Sequence, residues 1–163
     1  MMQEYKQFKR AKDGHLLFMS KDDRELLITD LTSRIKYGVI CKIEHIDDFG
    51  NRWRNEKLTG FSYLEDGGFY FEFSYYLEVD FAEKVLPYLR PMESMTEEEL
   101  EYIKNRWCCD EWYDISDLLN NYKLEFGEAR EFIDWLNKNH FDHRYLIGRG
   151  LALPATKGMY EIK

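Results

Sequence analysis

Two histidines and an aspartate lie close together near the end of the chain, in the run His140-Phe141-Asp142-His143-Arg144. Imidazole and carboxylate groups can bind a metal ion or share a proton near neutral pH. The spacing of His140 and His143 would align them on a helix, but the surrounding residues are typical of a helix end, where that alignment fails. The pattern favours a structural interpretation, in which His140 packs or caps at a helix terminus and Asp142 either pairs with Arg144 or caps a turn.

The three cysteines are Cys41 and the neighbouring pair Cys108 and Cys109. Structural zinc sites normally use paired spacings such as C-x-x-C, which this chain lacks, and adjacent cysteines rarely bridge each other. The sequence also lacks G-x-S-x-G, H-E-x-x-H and the phosphate-binding G-x-x-x-x-G-K pattern. We therefore expect reduced thiols that pack as small hydrophobic residues, no cofactor, and a protein without catalytic activity.

Five residues are candidates for binding rather than catalysis. Arg52, Trp53 and Arg54 stand together in the run FGNRWRNE, which we predict to be a hairpin loop. Arginine and tryptophan are enriched at binding hot spots, so this loop is the preferred contact site, although a Trp folded back over the sheet edge is an open alternative. Tyr70 and Tyr76 fall on the polar face of a predicted strand, where they either contact a partner or pack across strands.

The charge distribution bears on the class of partner. The chain has 31 acidic and 23 basic residues, a net charge of −8, and residues 92–126 hold ten acidic against three basic residues, a net of −7. A nucleic-acid groove needs clustered Lys and Arg, so we expect a protein partner and no nucleic acid. The acidic segment is either a solvated helix face or a mimic of DNA that occupies a basic groove on a defence protein.

The first residues contain no sustained apolar run of the kind that signal peptides carry, and the run LLFM is too short to cross a bilayer. We expect a folded protein in the cytoplasm, with no membrane association. The pattern does not predict an oligomeric state.

The elements that must position these residues begin with a short amphipathic helix after Ser20. Three runs rich in β-branched and aromatic residues follow: YGVICKIEHI, KLTGFSYLE and FYFEFSYYLEVD. They predict an antiparallel meander, which either stays open against helices or curls into a partial SH3-like barrel. Gly60, inside the second run, marks a place for a bulge or a bend.

A proline-containing segment separates this β-rich part from a helical part. Pro87 and Pro91 each remove a backbone donor and disfavour helix at the preceding residue, which predicts an extended or turning connector. A helix then begins with a capping box, formed either by Ser94 with Glu97 or by Thr96 with Glu99.

Two further helices are predicted, one beginning near Asp114 or Ser116 and a stronger one in the run FGEAREFIDWLNKNHF. The predicted fold is therefore α+β: a single domain, 1–163, with a β-rich half at 1–86 that includes the N-terminal helix and a mostly helical half at 87–163.

Several longer strings resemble a family of uncharacterised proteins from gut Bacteroidetes genomes and their phages or prophages. They extend from about Tyr37 to Tyr160 and include YGV, LTG, YLRPMESMTEEE, WLNKNHFD and LIGRGLAL. The chain departs from similar proteins at Glu93-Ser94, where they have two serines, and at His143, where they have a tyrosine. The resemblance implies a phage-associated origin and carries no activity, cofactor or catalytic residue.

These observations predict a non-enzymatic phage or prophage accessory protein that acts by binding another protein. A metal-dependent hydrolase or nuclease that uses His140, Asp142 and His143 is one alternative. An acidic inhibitor that mimics DNA is another.

Overall fold

The structure is a computed structural model, and it describes residues 19–47, 50–63, 69–74, 77–79, 85–107, 118, 124 and 126–160. Short 3₁₀ turns at Ile35–Tyr37 and Met92–Ser94 connect some of the longer elements. Those elements follow one another in this order: α1 (Lys21–Arg34), β1 (Ile40–Asp47), β2 (Gly50–Tyr63), β3 (Phe69–Phe73), β4 (Leu77–Val79), β5 (Val85–Leu89), α2 (Glu97–Trp107), α3 (Phe126–Lys138) and β6 (Leu153–Pro154).

The strands form one six-stranded sheet in the order β4-β3-β2-β1-β5-β6. Neighbouring strands are antiparallel except for β5 and β6, which are parallel. The mixed α+β class is therefore confirmed. Among the described strands β4 and β6 are the two edges and do not pair with each other, which fits the open sheet better than the barrel. None of the described helices is both long and apolar enough to cross a bilayer.

The third predicted strand is wrong, because that run forms two strands. Phe71 pairs with Val79 and Phe73 pairs with Leu77, so the chain reverses between β3 and β4. In this register every odd-numbered residue faces another odd-numbered residue. The alternation of apolar and polar residues is therefore the same for one long strand and for this tight hairpin, and periodicity could not distinguish them.

The prediction of a loop at FGNRWRNE is also wrong. Most of this run belongs to β2, which continues unbroken from Gly50 to Tyr63. Trp53 lies opposite Glu44 of β1, so the polar composition of the run concealed a paired strand. The irregularity predicted at Gly60 is present, because the pairing of β2 with β3 shifts register between Leu58 and Gly60. A Cβ atom at Gly60 would lie 2.5 Å from a carboxylate oxygen of Glu72, so a larger residue there would require the Glu72 side chain to move.

The prediction that Pro87 and Pro91 form a connector is only partly right. The segment is extended, but Pro87 lies within β5, opposite Cys41 of β1, and so belongs to the sheet. The described part of β6 pairs only with Tyr88 and Leu89, and a proline is tolerated where a ladder has one neighbour. The chain leaves the sheet after Arg90, which bridges Phe141.

Helix α2 begins with the second of the two predicted capping boxes. The Glu99 carboxylate accepts from the Thr96 backbone N–H at 2.9 Å, and the Thr96 hydroxyl accepts from the Glu99 N–H at 3.2 Å. The Ser94 hydroxyl instead donates to the Pro91 carbonyl. The predicted helix near Asp114 lies outside the described residues except for Leu118, which is helical and buried; Cys108 and Cys109 also lie outside them.

Within the described part of the chain, two clusters of buried side chains form the core. The first joins α1 to the sheet and includes residues from the 146–152 segment, such as Leu146 and Leu151. The second joins α2 to α3 around Trp107, Phe132 and Leu136. Helix α1, capped by the Ser20 hydroxyl, buries Leu27 and Leu31 against the sheet. The residues after α3 therefore run between both clusters.

Candidate functional site

The candidate catalytic and metal-binding residues lie where α3 ends. His140 has a left-handed backbone, with φ of 59°. Its N–H donates to the Asn137 carbonyl, and the Phe141 N–H donates to the Leu136 carbonyl, which together form a Schellman motif with His140 at the position after the cap. Phe141 and Leu136 pack in the same cluster, the apolar contact that accompanies this motif. His140 thus terminates the helix.

The His140 ring is buried and stacks on Tyr160 with ring centroids 3.8 Å apart. Its Nδ1 atom is buried and has no hydrogen-bond partner within the described part of the chain. Burial, helped by the charges of Arg34 and Arg90, lowers the pKa of His140 to about 4. The imidazole is therefore neutral at pH 7. The Tyr160 hydroxyl donates to the Tyr88 carbonyl, which holds the last described turn on the sheet.

Asp142 caps a turn, one of the two structural roles predicted for it. Its carboxylate accepts from the backbone N–H groups of Leu146 at 2.7 Å and Ile147 at 2.9 Å. Burial raises the pKa of Asp142, although these two N–H donors act to lower it. Its own N–H donates to the Arg90 carbonyl. The carboxylate is therefore committed to the backbone.

His143 takes part in a different set of contacts. Its Nε2 lies 2.9 Å from Oδ1 of Asn137 and 3.2 Å from Nη1 of Arg144. Burial first, and then the neighbouring Arg144 charge, lower the pKa of His143 to about 3. The ring is therefore neutral at pH 7 and joins α3 to the residues that follow it.

A buried ion pair that the sequence analysis missed lies beside these residues. Arg34 and Asp30 are fully buried and make two hydrogen bonds, at 2.8 and 2.9 Å. Arg34 also donates to the Phe141 carbonyl, and Arg144 donates to Asp30 at 2.8 Å. We call Asp30, Arg34, Asn137, His143 and Arg144 the buried polar cluster. The sequence did indicate this pair. Asp30 and Arg34 are four residues apart on the apolar face of α1, and opposite charges on a buried face are expected to pair with each other.

The three predicted metal ligands do not converge. His140 packs on Tyr160, Asp142 binds the backbone and His143 faces Asn137. Among the residues that the structure describes, no group of three or more His, Cys, Asp or Glu side chains is arranged to hold a metal ion. The three side chains are therefore each engaged in a structural contact.

An open groove of about 700 Å³ lies between α1 and α3, next to the buried polar cluster. Asn137 belongs both to this cluster and to the groove lining. The other residues that line the groove are Thr32, Ser33, Ile35 and Lys36 on one side and Ala129, Arg130, Ile133 and Asp134 on the other.

A polar contact fixes the distance between the two sides of this groove. The Asp134 carboxylate accepts from Lys36 Nζ at 2.6 Å and from the Tyr37 hydroxyl at 2.5 Å. The hydrogen bond from Lys36 lowers the pKa of Asp134, and the Asp134 carboxylate raises the pKa of Lys36. The turn after α1 is therefore tied to α3 by charge.

The loop of residues 142–150 follows the buried polar cluster and presents Tyr145. Tyr145 has φ of 57°, unusual for a bulky residue, and its side chain is 68% exposed. Arg149 pairs with the buried Asp23 at 2.8 Å, which adds to the anchors at Asp142 and Arg144. The loop is therefore a rigid support for an exposed aromatic side chain.

The five predicted binding residues lie in the sheet or outside the described residues. Trp53 is half-buried, with Lys42 Nζ 5.0 Å from its ring centroid, and Arg54 is exposed on β2. Arg52 is also in β2, although its side chain is outside the described part. Tyr70 is half-buried on β3 opposite Ser62, and Tyr76 lies outside the described residues. Arg52, Trp53 and Arg54 therefore lie along a strand and not on the hairpin loop that was predicted.

No protein-family model, curated protein sequence or solved structure matches this chain.

Proposed function

We propose that this protein is a non-enzymatic, phage- or prophage-associated accessory protein that acts in the cytoplasm by binding another protein. The phage association rests on the sequence resemblance alone. The observation that carries the binding function is the groove between α1 and α3, which is open, has apolar residues in both walls and lies next to a rigid loop with an exposed tyrosine.

The shape of the groove favours a helical segment of the partner. Grooves between two helices commonly accept the apolar face of a third, and Ile35, Ala129 and Ile133 supply apolar contacts here. The exposed Arg130 adds a positive charge, whereas Lys36 is already neutralised by Asp134. The proposed occupant is therefore an amphipathic helix with an acidic residue beside its apolar stripe.

The polar residues near the groove support binding over catalysis. A catalytic group needs a reactive atom within reach of a substrate, whereas the Asp142 carboxylate holds backbone N–H groups and the His140 ring is buried against Tyr160. The hydrolase alternative has a direct test. A rise in melting temperature on addition of Zn²⁺ or Mn²⁺, lost in His143→Gln, would favour it.

The binding function is tested by isolating a stoichiometric partner from host lysate and measuring its affinity for groove variants. Ala129→Arg places a long charged side chain in the groove and is expected to weaken binding at least about tenfold, a loss of about 1.4 kcal/mol. Lys138→Ala, exposed on the same helix outside the groove lining, is the matched control and should bind normally.

A second variant tests the site predicted from the sequence. If Trp53→Ala/Arg54→Ala abolishes binding while Ala129→Arg does not, the contact lies on β2 and the groove assignment is wrong. The absence of any stoichiometric partner would contradict the proposed function itself.

A further inference from the structure

Tyr102 is an aromatic residue left exposed on α2. Its side chain is 49% exposed, although one side of the ring stacks on Trp135 with centroids 5.7 Å apart. The ring also meets Trp107 edge-on at 5.8 Å. Packing against two tryptophans fixes its orientation, so the exposed surface of the ring is preorganised for a contact.

The same stack of rings ends in an arginine on its buried side. Trp135 stacks on Phe141, and the Arg90 guanidinium lies 4.1 Å from the Phe141 ring centroid. Both terminal nitrogens of Arg90 donate hydrogen bonds to the Glu99 carboxylate, at 2.7 and 2.8 Å. The molecule thus already contains an arginine held by an aromatic face and a carboxylate.

The exposed end of the stack has the same two components. Glu98 precedes Tyr102 by four residues on α2, so the two side chains are neighbours on one face of the helix. Glu98 has no ion pair among the described residues, and no described arginine lies over Tyr102. Arg106, one turn further along, is neutralised by Glu131 at 2.5 Å. The local field therefore attracts a cation.

We infer that Tyr102 and Glu98 form a binding site for an arginine side chain of a partner protein. Arginine fits better than lysine, because its planar guanidinium stacks on an aromatic ring while donating two parallel hydrogen bonds to one carboxylate. The exposed Glu97 and Glu101 would favour a partner segment with further basic residues. This site rests on the proposed protein-binding function but is separate from the α1–α3 groove, so its test is independent of the groove assignment.

The test uses two short peptides that differ only in carrying arginine or lysine at every basic position. Each is titrated into the full-length protein, and binding is followed by calorimetry and by tryptophan fluorescence, since Trp135 lies beneath Tyr102. The arginine peptide is expected to bind about fivefold more tightly. Tyr102→Ala should remove this preference, and Tyr102→Phe should retain most of it.

Two controls make the outcomes decisive. Tyr63→Ala removes another exposed tyrosine, on β2, and should leave the preference unchanged. Glu98→Gln should weaken binding of both peptides, and thermal unfolding of each variant checks that it is folded. Equal affinity for the two peptides, or a preference that survives Tyr102→Ala, would overturn the arginine site and would indicate only a general attraction to the acidic helix.

Discussion

The buried polar cluster and the exposed face of α2 use charge in opposite ways. In the cluster, Asp30 and Arg34 are fully buried, and the one carboxylate of Asp30 binds both Arg34 and Arg144 within 3 Å. On α2, Glu97, Glu98 and Glu101 point to solvent and Tyr102 is half exposed. The aspartate, arginines and histidine of the cluster therefore hold the fold together. The glutamates of α2 remain exposed and are available to a partner.

The buried polar cluster joins parts of the chain that are distant in sequence. Asp30 of α1 binds Arg144, and Arg34 binds the Phe141 carbonyl more than a hundred residues away. A buried ion pair is often no more stabilising than an apolar pair of the same shape, but removing one member leaves an uncompensated charge. We interpret the cluster as a device that fixes where the 142–150 loop sits against α1.

Asp30→Ala should cause the largest loss of stability among the changes considered. It leaves Arg34 buried without its carboxylate and releases Arg144, so we expect the free energy of unfolding to fall by about 3–5 kcal/mol. Urea denaturation measures this change. Glu25→Ala is the control on the same helix, because its pair with Lys21 is exposed and long, at 3.7 Å, and should contribute about 0.5 kcal/mol or less.

A loss below about 1 kcal/mol for Asp30→Ala would contradict this account of the cluster. If the variant does not fold, Asp30→Asn keeps the side-chain shape and some hydrogen bonding while it removes the charge. A stability loss that is the same for Asp30→Asn and Glu25→Ala would show that the two regions do not differ.

Acid pH should affect the buried His140 and the half-buried His143 before most carboxylates titrate. The pKa is lowered to about 4 for His140 and about 3 for His143, against 6.5 in the unfolded chain, so the unfolded state binds more protons below pH 6.5. Stability is therefore fully present above pH 6.5 and falls on acidification. Between pH 6.5 and 5 the expected loss is about 1.6 kcal/mol for each histidine. Urea denaturation across this range measures it.

The control for the pH effect is His143→Gln, which keeps a polar contact to Asn137 and should remove about half of the slope. The raised pKa of Asp142 acts in the opposite direction, because the folded state then takes up a proton more readily than the unfolded state. A flat profile from pH 6.5 to 5 in the parent protein would mean that neither histidine is buried as a neutral ring.

The sequence predicted those parts of the fold that depend on local signals. The capping box at Thr96, the irregularity at Gly60 and the helix end at His140 are each set by a few neighbouring residues. The hairpin of β3 and β4 was missed because its register preserves the apolar alternation. The first part of β2 was missed because its polar composition is typical of a loop, although it pairs with the preceding strand β1.

The candidate site was harder to predict because it depends on contacts between distant residues. The roles of His140 and Asp142 as a helix end and a turn cap followed from their position in the chain. The ion pair of Asp30 with Arg34 and Arg144, and the stack of Tyr102 on Trp135, join elements whose packing no local pattern specifies. Charge periodicity within α1 was the one available signal, and amphipathic helices usually place such pairs in solvent.

The smallest effect on stability is expected from the exposed acidic face. In Glu98→Gln/Glu101→Gln both side chains stay polar and solvated, and Glu98 loses only a weak interaction with the positive end of the helix, so the free energy of unfolding should change by about 0.5 kcal/mol or less. Urea denaturation of this double variant beside Asp30→Ala measures the contrast directly. A loss above about 1 kcal/mol would mean that these carboxylates stabilise the fold, which would remove the reason to assign them to a partner.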